Sequence, residues 1–423
     1  MIVAYLMFDI ITFIIGHKIY KTIFNPISLY SAVWGVALLL HESGLIMFYE
    51  LRWNTWATVF LCQAVFVAVC WMASKIKMSN SNIDLTTVDD GELKRKIKKY
   101  IYITCIVSGI AIVGNYIAMV EIYGSNLLTA ITDIYADRIN QRTEIEMIPY
   151  LGAFVYIAMP LSGIYMKKYG FNPVIVLPFV LGIMSALVSG GRTDFMLMGI
   201  LFVMAFLSVS KKVKQKNVSR KKSIISFACI GALIIGFILV ISNARNAGSD
   251  IAYATPLYVK LFGNNVLVYK IVQYIAAPVA TLNEYLVTCD FNFGKNSFLT
   301  IFNLMSKLGL VERVEQYQEI FYTPIPCNVG TWIRELIEDF TYPGAIFAII
   351  IFAAITSYVY RKAIKQDRVK NKIIWPMLAA VIILSFFDWR LRSSNMWIAL
   401  LFGYIIGKRI DNCTVSGKNS RVI

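Results

Sequence analysis

Within twelve residues, the run Asn328-Val329-Gly330-Thr331-Trp332-Ile333-Arg334-Glu335-Leu336-Ile337-Glu338-Asp339 places one guanidinium beside three carboxylates. Read as a helix, Glu335 and Asp339 share one face at i,i+4 spacing, and Arg334 and Glu338 share another. An acid pair and an ion pair then point in different directions. Partial desolvation at a membrane interface makes a carboxylate a better general base near neutral pH, so Glu335 or Asp339 could take the proton of a hydroxyl. The competing reading is an amphipathic helix whose charges meet water.

Other polar groups stand where apolar runs end. Ser189-Gly190-Gly191-Arg192-Thr193-Asp194 joins two such runs by a tight turn, in which glycine permits unusual backbone angles and close approach of a ligand. Arg192 offers planar paired donors that match a phosphate. Arg245, in Ser242-Asn243-Ala244-Arg245-Asn246, could converge with it on one ligand, with Asp194 and Asn246 alongside. Arg390 and Arg392, in Asp388-Trp389-Arg390-Leu391-Arg392, stand at a third run end. The plainer reading of these arginines is pairing with a nearby aspartate or a lipid headgroup. Asp9 lies inside an apolar run, where a polar group favours a partner, and the sequence names none for it. There is no CxxC and there are only two histidines, so no metal site is expected. Cys289 and Cys327 both fall in the large loop 243–342, where an oxidising compartment would permit a disulfide between them.

The elements that position these groups follow from bulk composition. The 423 residues are 58% hydrophobic with a mean hydropathy of +0.63, more apolar surface than one globular core can bury. Apolar runs fall near residues 2–16, 27–47, 55–74, 100–120, 149–166, 172–189, 195–210, 223–242, 343–360, 373–387 and 395–407. Most are about the length a helix needs to cross roughly 30 Å of hydrocarbon. The expected fold is an all-α, polytopic transmembrane helix bundle of about eleven spans, in a range of about ten to thirteen, with one large, partly helical external loop. Helices 1–8 occupy residues 1–242, the loop 243–342, and helices 9–11 with a cytoplasmic tail 343–423.

Orientation follows from charge, because basic residues collect in cytoplasmic loops. If Lys18 and Lys21 are cytoplasmic, that side holds 28 of the 41 basic residues and six acids. The amino terminus is then outside and the carboxyl terminus in the cytoplasm. Basic runs such as 94–99 and 211–214 abut spans, so topology accounts for the net charge of +16. Nucleic acid is not an expected partner; membrane lipids are. The loop is rich in aromatics, Tyr274 and Trp332 among them, and should fold. Its run 256–287 has the pattern of interfacial or re-entrant helices rather than a full span. No nucleotide-binding loop is present, so chemistry driven by ATP is not expected.

The segment Asn25-Pro26-Ile27-Ser28-Leu29-Tyr30 leading to Trp34, the Gly-Gly-Arg-Thr turn at 190–193, and Thr331-Trp332 with Glu338-Asp339 and Gly344 together resemble the Wzy-type oligosaccharide repeat unit polymerases of O-antigen and capsule. The resemblance covers nearly the whole chain in layout. It implies a multi-pass protein of the bacterial cytoplasmic membrane that transfers a growing glycan from undecaprenyl diphosphate to the next lipid-linked repeat unit, without metal or cofactor. It implies that Arg192 and Arg245, and with them Arg334, hold the diphosphate or an anionic glycan. A flippase and a chain-length regulator are the protein partners it suggests. The competing functions are a lipid-linked oligosaccharide flippase or other transporter, and an O-antigen ligase.

Overall fold

The computed structural model describes residues 1–78, 90–139, 148–209, 231–232, 236–237, 239–244, 251–312, 314, 319–366 and 368–416. Its helices are α1 (Ile2–Tyr20), α2 (Pro26–Glu42), α3 (Trp53–Lys75), α4 (Asp90–Tyr123), α5 (Ile131–Ile139), α6 (Val155–Tyr169), α7 (Leu177–Ser189), α8 (Thr193–Ser208), α9 (Pro256–Phe262), α10 (Val266–Thr288), α11 (Leu299–Lys307), α12 (Trp332–Lys365), α13 (Val369–Ile383) and α14 (Ser394–Ser416). One two-stranded antiparallel hairpin, β1 (Phe321–Tyr322) and β2 (Pro326–Cys327), completes them. The fold is all-α, as the composition implies.

Among the described residues, α1, α3, α4, α10 and α12 are long and apolar enough to cross a membrane, and α8 and the helix ending at Ser189 are apolar but shorter. The expected span at 223–242 lies largely outside the described residues. The chain forms two compact units. One comprises Met1–Met78, Gly248–Tyr360 and Ala379–Ser394; the other comprises Ser79–Ala247, Arg361–Leu378 and Asn395–Ile423. The segment expected to stand apart as a loop, 243–342, belongs for most of its length to the same unit as the first three helices.

In the first unit α1, α2 and α3 pack together, and α10 packs across α2 and α3. Local sequence sets where these helices begin. Asn25 accepts a bond from Ser28 N at 2.9 Å, and Pro26 fills a first-turn position that needs no donor. Asn265 starts α10 the same way, accepting from Val268 N at 3.1 Å. The α2–α3 connection, residues 43–52, is tied to the later segment along its length. Thr255 Oγ1 donates to Gly44 O at 2.6 Å, Met47 N to Tyr253 O at 2.9 Å and Tyr49 N to Thr323 O at 3.3 Å.

Both ends of α10 meet that connection. Leu45 and Ile46 share a buried cluster with Tyr258, Tyr269 and Val272. At the other end, Asn283 accepts from Arg52 N at 2.8 Å, and Glu284 pairs with Arg52 at 3.1 Å. A helix of 23 residues is about 35 Å long. With both ends fixed to one connection, it runs alongside that connection.

Asp9, left without a partner by the sequence, has one in α3. Gln63 Nε2 donates to Asp9 Oδ1 at 2.8 Å and lies 3.0 Å from Thr12 Oγ1 and 3.2 Å from Ser31 Oγ. Tyr5 OH donates to Gln63 Oε1. A Cβ on Gly35 would collide with Asp9 Oδ2, so glycine is what lets the carboxylate seat against α2. The second unit packs α4, α6, α7 and α8 against one another. Within it, the Asp411 carboxylate caps α13, accepting from Val369 N at 2.8 Å and from Lys370 N at 3.3 Å.

Candidate functional site

The charged run does form a helix, the first part of α12. Trp332 N donates to Ser385 O at 2.9 Å, and Thr331 Oγ1 accepts from Arg334 N at 3.2 Å, satisfying donors that a helix start leaves open. The helix breaks at Thr341, whose backbone is left-handed (φ +59°). The charges were expected to meet water if the helix were amphipathic. Instead all residues from Thr331 to Asp339 are buried, with Arg334 2% and Glu335 0% exposed.

The wall on one side is aromatic. The Trp332 indole sits among Tyr30 at 5.6 Å, Phe66 at 6.2 Å, Phe352 at 5.5 Å and Trp389 at 5.6 Å between ring centres. Trp34 Nε1 donates to Ser385 Oγ at 2.9 Å, so α2 holds the residue whose carbonyl receives Trp332 N.

Each charge has a separate counterpart. Arg334 Nε donates to Glu338 Oε1 at 2.6 Å, the expected i,i+4 ion pair. Its guanidinium lies 4.5 Å from the centre of Phe321 and 5.5 Å from that of Tyr285, a stacking that suits a planar cation. Arg334 Nη1 is buried and has no hydrogen-bond partner among the described residues. Glu338 Oε2 accepts from Asn296 Nδ2 at 2.8 Å. Asp339 accepts from the backbone of Asn296 at 2.9 Å and of Ser297 at 2.5 Å. Glu335 Oε1 lies 3.3 Å from Trp389 N and 3.3 Å from Arg392 Nη1. Arg390 is paired with Asp388 at 2.5 Å.

Glu335 and Asp339 thus have different surroundings despite their shared spacing. Asp339 fixes the turn at 296–297, whereas Glu335 faces the 388–392 segment and a guanidinium. Three arginines, 334, 390 and 392, face four carboxylates, 335, 338, 339 and 388. The cluster is not a net-positive cradle for a diphosphate. It is a buried site that holds carboxylates and donors in fixed positions, which suits proton transfer and hydroxyl recognition.

Cys327 lies near Arg334. Burial pushes its thiol up, against the opposing pulls of the Val329 carbonyl contact and the guanidinium, so it stays protonated and unreactive. Cys327 and Cys289 are both free thiols. Tyr274 is half-buried and stacks on Phe387 at 4.4 Å.

The second unit holds the other arginine candidate. α7 ends at Gly190 in the left-handed region (φ +58°). The turn closes with Gly191 N on Ser189 Oγ at 3.2 Å. Arg192 directly precedes α8 and donates from Nη1 to Ser242 Oγ at 2.8 Å. Asp194 sits in the first turn of α8, where the helix dipole favours a carboxylate. Arg245 and Asn246 lie outside the described residues.

Sequence reasoning missed Arg392 as the counterpart of Glu335, and Asn296, Tyr285 and Phe321 as the surroundings of Arg334 and Glu338. The available signal was the alternation Asp388-Trp389-Arg390-Leu391-Arg392, which puts charge on alternate positions beside a tryptophan. No protein-family model, curated protein or solved structure matches this chain.

Proposed function

We propose that this chain is an integral membrane enzyme that polymerises undecaprenyl-diphosphate-linked oligosaccharide repeat units into O-antigen, capsular or exopolysaccharide at the external face of the bacterial cytoplasmic membrane. The observation that carries the reading is the helix 331–339, wholly buried although four of its residues are charged. A buried charge is costly unless it has a task or a partner, and active sites are where such groups collect. In this reading the chain crosses the membrane about eleven times, with its amino terminus outside and its carboxyl terminus in the cytoplasm. The two-ended attachment of α10 supports placing it along the external face.

The acceptor hydroxyl oxygen attacks the anomeric carbon of the donor sugar while its proton passes to Glu335. The bond from that carbon to the diphosphate oxygen breaks, and its electron pair leaves with the diphosphate. Arg392 and Trp389 N orient the Glu335 carboxylate. Trp332, Tyr274 and Arg390 line the glycan's surroundings, and the family resemblance gives Arg192 and Arg245 the part of holding the diphosphate. Arg334 contributes its remaining donor to a sugar oxygen. The leaving group is already activated, so no nucleotide, metal or cofactor is required.

Two substitutions test this. Glu335→Gln should lower turnover by about 10²- to 10⁴-fold, the usual contribution of a general base, while leaving substrate binding unchanged. Arg192→Ala should abolish polymer without lowering membrane abundance. Full-length polymer in both variants would sink the reading. A lipid-linked oligosaccharide carrier is the second reading. The observation in its favour is Asp9, an ionisable group within a helix apolar enough to span.

A further inference from the structure

A second buried polar group lies in the same unit as the charged helix and has no part in the chemistry above. His41, in the last turn of α2, is 5% exposed. Its Nδ1 lies 3.0 Å from Glu42 Oε1, and its ring stacks on Phe48 at 5.1 Å and 15°. Its Nε2 is buried and has no hydrogen-bond partner among the described residues. An ionised carboxylate only accepts, so Nδ1 carries a hydrogen. Nε2 then presents either a bare lone pair or an unaccepted N–H, and a buried polar atom left bare calls for an explanation.

The helix places this atom relative to the charged run. His41 follows Trp34 by seven residues, two turns along the same face of α2, or about 10 Å by the helical rise. Tyr30, Trp34 and His41 form one buried stripe. Trp34 holds Ser385, whose carbonyl receives Trp332 N. His41 therefore stands about 10 Å along α2 from Trp34, whose partner Ser385 receives the start of the helix that carries Arg334 and Glu335. A short oligosaccharide with hydroxyls at each end spans a separation of that order.

We infer that His41, oriented by Glu42, is a recognition subsite for a hydroxyl on the acceptor oligosaccharide, one sugar or more away from the hydroxyl that reacts. The inference rests on the polymerase reading for the identity of the glycan. A hydroxyl satisfies Nε2 in either state, because it both donates and accepts.

The test uses the full-length protein with His17→Gln, which leaves His41 as the single histidine, labelled with ¹⁵N and observed in detergent. Saturating undecaprenyl-diphosphate-linked repeat unit should move the Nε2 resonance and leave Nδ1 near its starting position. An Nε2 resonance that does not move overturns the inference. In parallel, His41→Leu should raise the acceptor KM about tenfold, the worth of one hydrogen bond, with kcat kept. His41→Gln, which retains an acceptor in place of Nε2, should restore most of it. Equal KM values in wild type and His41→Leu would also overturn it. If wild type elongates nothing yet its Nε2 resonance moves, the polymerase reading fails and the subsite stands.

Discussion

The first unit contains two buried polar clusters, and they are built in opposite ways. Around Asp9, the carboxylate accepts from the Gln63 amide, which is itself held among the hydroxyls of Tyr5, Thr12 and Ser31, and no basic group pairs with it among the described residues. Along 331–339, charges meet charges: Arg334 with Glu338, and Glu335 with Arg392. Neutral hydrogen bonds between membrane helices are weak glue that fixes which faces meet. Buried ion pairs add little net stability, yet removing one partner is severe because the other is left uncompensated. Chemistry is therefore expected from the charged helix. The Asp9 cluster closes on itself, while the charged helix keeps on Arg334 a donor with no partner among the described residues.

The sharpest way to break this comparison is Arg334→Ala. It leaves Glu338 buried with Asn296 as its remaining donor among the described residues, and should lower stability by about 3–5 kcal/mol, read as a fall in unfolding temperature in detergent and in membrane abundance. A loss below 1 kcal/mol would mean that the pair is solvated and that the two clusters do not differ in kind.

Gly35→Ala probes the other cluster and should have a smaller effect. Its Cβ would displace Asp9, for a loss of about 1–3 kcal/mol as in other overpacked interiors, with turnover per folded molecule unchanged. A drop in turnover at unchanged stability would move Asp9 from the structural side of the comparison to the functional side. Asp9→Asn should have the smallest effect, about 0.6 kcal/mol, typical of one interhelical hydrogen bond.

The sequence made the helices readable because apolar runs of membrane-crossing length leave few alternatives, and nearly every such run in the described residues falls on a helix. It also announced the charged run and its Arg334–Glu338 spacing, since i,i+4 neighbours are local. What it could not show is what lies across from them. Asn296, Arg392 and Gln63 lie some 40 to 60 residues from the groups they hold, and no local pattern encodes such a pairing. The same limit explains why the charged helix read equally well as amphipathic: Tyr30, Phe66, Phe352 and Trp389 surround its Trp332, and Phe321 and Tyr285 its Arg334, from separate stretches of chain. His41 carried no signal at all, because a lone histidine at a helix end looks the same whether its far nitrogen is met or bare.

The account stands or falls on whether the isolated protein joins lipid-linked glycans. Purified protein in detergent should be incubated with undecaprenyl-diphosphate-linked repeat units and no nucleotide, and the products separated by gel. The account predicts a ladder of lengthened lipid-linked glycan from wild type and Gly35→Ala, and almost none from Glu335→Gln. Unchanged substrate from wild type, with the protein shown to be folded, would contradict it.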